Sequence, residues 1–353
     1  CQKRVQVSWD DGSVRWALFD FQIDLAAGES AALAAEYSPQ ISDAITGAGI
    51  EATPTPARLL VDAGRLRLAF RREGYAFPAE IELRRKTGWQ PVTGVTGALS
   101  AIELVDGDGK RYEVRQVDEI ELEESGPLRA TVRLTARHRA PDGSTLFRSI
   151  LRVSAYWDLP YLRVQHTFEN DATERPFTHI RSLRLSANLD QGWLEKVPSG
   201  DSSLSLEDGT VHLLQSTADV FQVCQGEAVR GEGAHAPPWW ATSGQSGAAA
   251  VAMRDFWQNY PKGWEIGPDG LRIEVCPDIS AVSYASEDKL EVVRTTYYLQ
   301  EGGYKLKHGM ARTHDMLFCF GGDAAAVRDP LRLFGTPPLV RTEPELLQRT
   351  SVL

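Results

Sequence analysis

LRATVRLTARH, residues Leu128–His138, sets the fold class. Leu128, Ala130, Val132, Leu134 and Ala136 alternate with Arg129, Thr131, Arg133, Thr135 and Arg137. Side chains that alternate with a period of two belong on a β-strand with one buried and one wet face. The same rule holds at Leu146–Tyr156, Tyr161–Phe168 and His179–Leu189. Pro141-Asp142-Gly143, Asp158-Leu159-Pro160 and Asn170–Pro176 separate these runs with turn chemistry. Upstream, Arg4–Trp9 and Val14–Phe21 alternate around Asp10-Asp11-Gly12-Ser13, a hairpin turn, and Arg65–Arg71 reads RLRLAFR. Downstream, strands are expected at Val211–Leu214, Ala248–Phe256, Leu271–Val275, Glu291–Leu299 and Met316–Phe320. Half-buried strands at this spacing predict an all-β chain built as a large antiparallel β sandwich. No internal repeat of fixed period is visible.

The 353 residues allow one large domain or two to three smaller ones. Ser38–Pro56, rich in Ala, Gly, Ser, Thr and Pro, reads as a linker. Asp323–Phe334 switches to an Ala-rich helical pattern, and Thr336–Leu353 has no strand period. The expected division is a β piece at 1–47, a β sandwich at 55–321 and a connecting tail at 322–353. A net charge of −10 argues against nucleic acid as the main partner. No apolar run approaches a membrane span. Cys1, Cys224, Cys276 and Cys319 are too scattered for a disulfide framework or zinc site, and Cys276 and Cys319 read as buried thiols. No cofactor is expected.

Three segments carry candidate chemistry. Tyr304–Asp315, YKLKHGMARTHD, packs Tyr304, Lys305, Lys307, His308, Arg312, His314 and Asp315 into an otherwise acidic chain. Such a cluster suits holding an anion and moving a proton. An extended backbone would put Tyr304, His308, Arg312 and His314 on one face, unless Gly309 breaks the register. His308 and His314 lie too far apart for a helical metal pair, and no third ligand is near, so no metal is expected. Arg254–Trp264, RDFWQNYPKGW, sets Arg254, Tyr260 and Lys262 among Phe256, Trp257 and Trp264. Aromatic faces beside amides and cations suit a sugar ring and a carboxylate, and this reading is preferred over one that places the rings in the core. Gly231–Trp240 presents Trp239 and Trp240 after Pro237-Pro238, and burial of both rings is the preferred reading.

The stretches VSWDDGSVRWALFDFQIDLAAGESAALAAEY, ESGPLRATVRL, YLRVQHTFEND, RDFWQNYPKGWEI and GYKLKHGMARTHD, in that order, resemble the bacterial and fungal exo-acting rhamnogalacturonan lyases and their relatives. That resemblance implies part of a RIFT-type barrel, then a mutarotase-like β sandwich, then a C-terminal α/α toroid. It also implies that the start of the barrel and the toroid lie outside this chain. By the same resemblance the protein would be a secreted or periplasmic polysaccharide lyase acting on a uronic-acid polysaccharide such as rhamnogalacturonan, a pectin component.

A lyase of this type cleaves at O4 of a galacturonate by β-elimination. The reaction needs a cation on the carboxylate, a base for the C5 proton and an acid for the leaving oxygen. Arg254 and Arg312 are the expected carboxylate clamps. His308 or Lys307 is the expected base, and Tyr304 or Tyr260 the acid. Trp257 is the expected sugar platform, with Lys305, Lys262 and His314 as further binding residues. A histidine base suits neutral pH, whereas a lysine base needs its pKa lowered. The alternative is a non-catalytic carbohydrate-binding or scaffold sandwich, with the chemistry in a helical domain. A glycoside hydrolase would need an essential carboxylate pair, and none stands out.

Overall fold

Alternating sequence becomes paired strand from the first residues onward. The computed structural model describes residues 1–26, 28–34, 49–72, 80–92, 99–189, 191–199, 202–268, 270–279, 299, 302–337, 341–342 and 344–349. Strands β1 (Gln2–Ser8) and β2 (Val14–Asp20) form an antiparallel hairpin closed by the predicted turn. There Asp11 accepts from the backbone and hydroxyl of Ser13, and Gly12 takes φ +82°. A five-stranded antiparallel sheet follows: β3 (Glu51–Pro54), β4 (Arg58–Asp62), β5 (Leu66–Arg71), β6 (Glu80–Arg85) and β7 (Gly88–Pro91). Strand β3 lies inside the segment that composition alone marked as linker, because a short strand needs only a paired neighbour to form.

The remaining strands make the sandwich. In chain order they are β8 (Leu99–Asp106), β9 (Arg111–Glu113), β10 (Glu119–Ser125), β11 (Arg129–Arg139), β12 (Thr145–Tyr156), β13 (Tyr161–Glu169) and β14 (Phe177–Ala187). Then come β15 (Lys196–Ser199), β16 (Ser202–Ser205), β17 (Val211–Thr217), β18 (Val220–Gln225), β19 (Ala228–Gly233) and β20 (Trp239–Gly244). The last are β21 (Gly247–Met253), β22 (Lys262–Gly267), β23 (Gly270–Cys276), β24 (Tyr304–Lys307) and β25 (Ala311–Gly321). The pairings resolve into two antiparallel layers. One runs β10–β11–β12–β13–β25–β21–β20–β15–β16. The other runs β9–β8–β14–β23–β22–β17–β18–β19, with β24 beside the first half of β14. A single β9–β11 pair joins the layers at one edge. The all-β expectation of a large antiparallel sandwich therefore holds. The strand expected at Glu291–Leu299 falls, apart from Leu299, outside the described residues.

Period two explains the core. Ala130, Val132, Leu134 and Ala136 of β11 are buried, as are Leu162, Val164 and Phe168 of β13. They meet Ile102, Leu104, Leu183, Leu185, Ile273 and Val275 of the second layer in one apolar cluster. Burying each such side chain stabilises by roughly 1.5–3 kcal/mol. Helix α1 (Ala324–Gly335), capped by the Asp323 carboxylate on the Ala326 N–H at 2.9 Å, covers the outer face of the first layer. Its Val327, Leu331 and Phe334 rest on Ala241, Ala248, Ala250, Ala252, Leu317 and Cys319. The alanine run of β21 allows that approach, since small side chains on one face leave room for a helix while Val251 and Met253 fill the sandwich from the other. Cys276 and Cys319 are buried free thiols, as read.

Candidate functional site

The strand ladders bring several connections to one pole of the sandwich. There Glu169 pairs Ala311, Phe177 pairs Lys307, Met253 pairs Met316 and Gln215 pairs Lys262. The β13–β14, β21–β22 and β24–β25 connections therefore share that end. The opposite pole meets the five-stranded sheet, where the Asp158 N–H donates to the Ala63 carbonyl at 2.8 Å and Arg85 donates to the Gly321 carbonyl at 2.9 Å.

Tyr304–Asp315 does not form one extended strand. The chain leaves the second layer at Lys307, turns at His308 and Gly309, and enters the first layer at Ala311. Gly309 takes φ +77°, a conformation open to glycine without steric cost, and the expected shared face fails there. Asn170, 1% exposed, holds the crossing. Its Nδ2 donates to the carbonyls of Leu306 at 3.0 Å and Lys307 at 3.1 Å, and the Thr178 hydroxyl donates to its Oδ1 at 3.3 Å. The side chains of Lys307 and His308 are left exposed, while Lys305 reaches 5.0 Å over the Phe177 ring. Tyr304 points into the core, and its hydroxyl donates to the Pro277 carbonyl at 2.8 Å.

A second group sits on the interior side. On β25, Arg312, His314 and Met316 share the face turned to the other layer. The Arg312 guanidinium donates to Asn259 Oδ1 at 2.7 Å. Lys262 is 1% exposed, and its ammonium donates to the carbonyls of Val275 at 2.7 Å and Pro261 at 3.1 Å. Burial, reinforced by the Arg312 charge, pulls its pKa down to about 7. His314 is buried, with Phe168 and His166 stacked against it at 5.9 Å and 6.3 Å. Burial holds its imidazole neutral. Tyr260 is half-buried against the same core.

Arg254 stands apart. It lies 3.4 Å from Asp315, whose carboxylate already takes two hydrogen bonds from Arg163, and 4.6 Å over the ring of Phe334. Asp315 is on the helix-covered face of β25, so Arg254 and Arg312 flank opposite faces of one strand and do not form a joint clamp. Trp257 is half-buried and stacks on His235 at 3.9 Å and 18°. Trp240 is buried as anticipated, whereas Trp239 is only half-buried, against the cluster under α1.

Reading by segment missed a cleft of about 630 Å³ at the same pole. It is lined by the β8–β9 turn, the β11–β12 connection and the β13–β14 connection, and contains Lys110, Arg137, Asp171, Arg175 and His179. The signal was present as charge at three turns. Each reads locally as turn chemistry, and only the strand order brings them together. Among the described residues no group of three or more metal-ligating side chains is suited to an ion, and no helix is long and apolar enough to cross a membrane.

The chain is similar, at low identity, to several solved structures. A galactose mutarotase-like protein from Clostridium acetobutylicum is 9% identical, with 77% of this chain and 98% of that chain covered and a TM-score of 0.42. An α-galactosidase from Geobacillus stearothermophilus is 9% identical over 77% of this chain and 41% of that chain, with a TM-score of 0.37. A polysaccharide lyase is 10% identical over 82% of this chain and 34% of that chain, with a TM-score of 0.35. No curated protein matches the sequence. The family described as the PcRGLX-like protein central beta sandwich domain matches residues 50–192, from just before β3 to just after β14, which fits the rhamnogalacturonan lyase-like resemblance over those residues.

Proposed function

We propose that the chain is the β sandwich of a polysaccharide lyase-like protein that binds a uronic-acid polysaccharide such as rhamnogalacturonan. The observation that carries this reading is the Lys307–His308 turn. It holds an exposed ammonium and an exposed imidazole next to each other in sequence, on a backbone clamped by buried Asn170, at the pole that also carries Arg312, Tyr260 and Trp257. The PcRGLX-like match at 50–192 supports the same reading. In this proposal residues 1–47 are the end of a RIFT-type barrel and 322–353 lead into a helical domain. A secreted or periplasmic location fits a polysaccharide substrate.

In the elimination, His308 takes the C5 proton, the C4–O4 bond breaks as the C4=C5 double bond forms, and the leaving oxygen receives a proton. Lys307 and Arg312 neutralise the uronate carboxylate. Tyr260, half-buried at this pole, is the proton donor, whereas Tyr304 lies inside the core away from solvent. Lys262 and His314 are buried and act on the site only through Arg312 and its strand.

A binding role without turnover is favoured by a different observation. Arg254 is paired with Asp315 and Arg312 with Asn259, so those cations are engaged within the chain. The two readings separate on His308→Ala and Lys307→Ala, assayed for uronate-oligomer affinity and for the absorbance of unsaturated product. Lyase action predicts that His308→Ala abolishes product while binding survives. Product formation unchanged in both variants would overturn the lyase reading, and unchanged affinity in both would overturn the site.

A further inference from the structure

The cleft beside this turn has a composition unlike the turn itself. Its lining includes the carboxylates of Asp106, Asp108, Asp171 and Glu174, and the cations Lys110, Arg137 and Arg175, with His179 beside them. In a chain of net charge −10, opposite charges here nearly cancel. Several groups are held in place by their own partners. Lys110 donates to Asp142 at 2.6 Å and Ser144 at 2.8 Å, and Arg137 pairs Asp171 at 2.6 Å. Asp106 accepts the N–H groups of Asp108 at 3.0 Å and Lys110 at 2.8 Å.

The walls are fixed to each other as well. The Gly107 N–H donates to the His179 carbonyl at 2.9 Å, and a Cβ at Gly107 would meet the His179 Cβ at 2.9 Å, so this turn can press against β14 only as glycine. On the opposite wall Phe147 is fully buried yet takes φ +60°. It is the extra residue at a register shift, since Arg137 pairs Arg148 while His138 pairs Leu146. A left-handed bulky residue costs roughly 1–3 kcal/mol and persists where the surroundings over-determine it. The bulge bends β12 where Thr145 and Leu146 line the cleft.

We propose that this cleft binds a neutral sugar unit. An anion would meet four carboxylates, and a cation would meet three positive charges, of which Lys110 and Arg137 are held in place. A polyol without charge finds paired donors and acceptors that are already oriented, as vicinal hydroxyls require. Its volume falls within the range of small-ligand sites. The Pro176 carbonyl accepts from the His308 N–H at 2.9 Å, and Phe177 pairs Lys307, so cleft and turn share one segment. One polymer therefore places a neutral unit in the cleft and a uronate at the turn. This inference rests on the saccharide reading of the pole and adds a second subsite to it.

The test is calorimetric titration of the protein with methyl α-rhamnoside, methyl β-galactoside and oligogalacturonate. The variants are Arg175→Ala/His179→Ala, whose side chains are exposed, and Lys307→Ala/His308→Ala. The expected result is neutral-glycoside binding weakened at least tenfold by the first double variant only, and oligogalacturonate binding weakened by the second only. An unchanged thermal midpoint verifies that both variants fold. Oligogalacturonate binding without neutral-glycoside binding, or neutral-glycoside binding indifferent to Arg175→Ala/His179→Ala, would overturn the cleft alone. Absence of binding by all three ligands would overturn the saccharide reading together with the cleft.

Discussion

His166 and His314 face each other across β13 and β25 as register partners, their rings 6.3 Å apart and 21° from parallel, inside the sandwich. They continue a lateral row in which Ser149 bridges His138 at 2.9 Å and His166 at 3.0 Å. All three imidazoles are buried and held neutral.

This row predicts acid lability. Burial lowers the pKa of His138 and of His166 to about 3, and takes His314 well below its ordinary value. The unfolded chain takes up the same protons near pH 6.5. Stability is therefore complete above that pH and is lost as pH falls toward 3, with each histidine contributing up to ~1.4 kcal/mol per pH unit. Urea unfolding midpoints at pH 7, 6, 5 and 4 should fall progressively. A flat profile would show that the imidazoles are already charged when folded.

His314→Leu tests the row at its least satisfied member. Neither ring nitrogen has a hydrogen-bond partner among the described residues. An apolar side chain of similar size should stabilise by ~1–2 kcal/mol at pH 7 and reduce the acid slope. Denaturant midpoints at pH 7 and pH 5 measure both effects. Destabilisation at both values would mean that the ring is hydrogen-bonded in solution.

Lys262→Met should remove a pH dependence on the alkaline side. Because the folded pKa is near 7 and the unfolded one near 10.5, stability should rise with pH across that window by up to ~1.4 kcal/mol per unit. The variant should be flat there, as read from unfolding at pH 7, 8 and 9. An identical rise in both proteins would place the titration elsewhere.

Asn170→Ala should loosen the crossing between layers. It removes the hydrogen bonds to the Leu306 and Lys307 carbonyls and leaves the Thr178 hydroxyl without its acceptor, a loss of ~2–3 kcal/mol. Hydrogen exchange of the Gly309 and Met310 amides, which donate to the Asn170 and Lys307 carbonyls, should accelerate well before global unfolding. Unchanged exchange at those amides would show that the turn is held by other contacts.

The strands from Arg129 to Ala187 were legible because each has one buried and one wet face, so their pattern is local. Strand β22 was not, since Lys262 is buried where sequence suggests exposure and the run KGWEIG hardly alternates. At the site, the Lys307–His308 pair was legible as local charge density. The separation of Arg254 from Arg312 was not, because it follows from which neighbour covers each face of β25. The cleft depends on three turns meeting, and that requires the strand order.

Strand β21 shows what a second covering layer does to variation. All seven of its residues are buried, with the sandwich beneath and α1 above. A strand such as β13 keeps half-buried positions, Gln165 and Thr167 among them, that other polar types can fill. In β21 no position has that freedom, and the alanines under α1 cannot grow without lifting the helix. Tolerance to substitution along this chain should therefore follow the footprint of α1 more closely than the hydropathy of the strands.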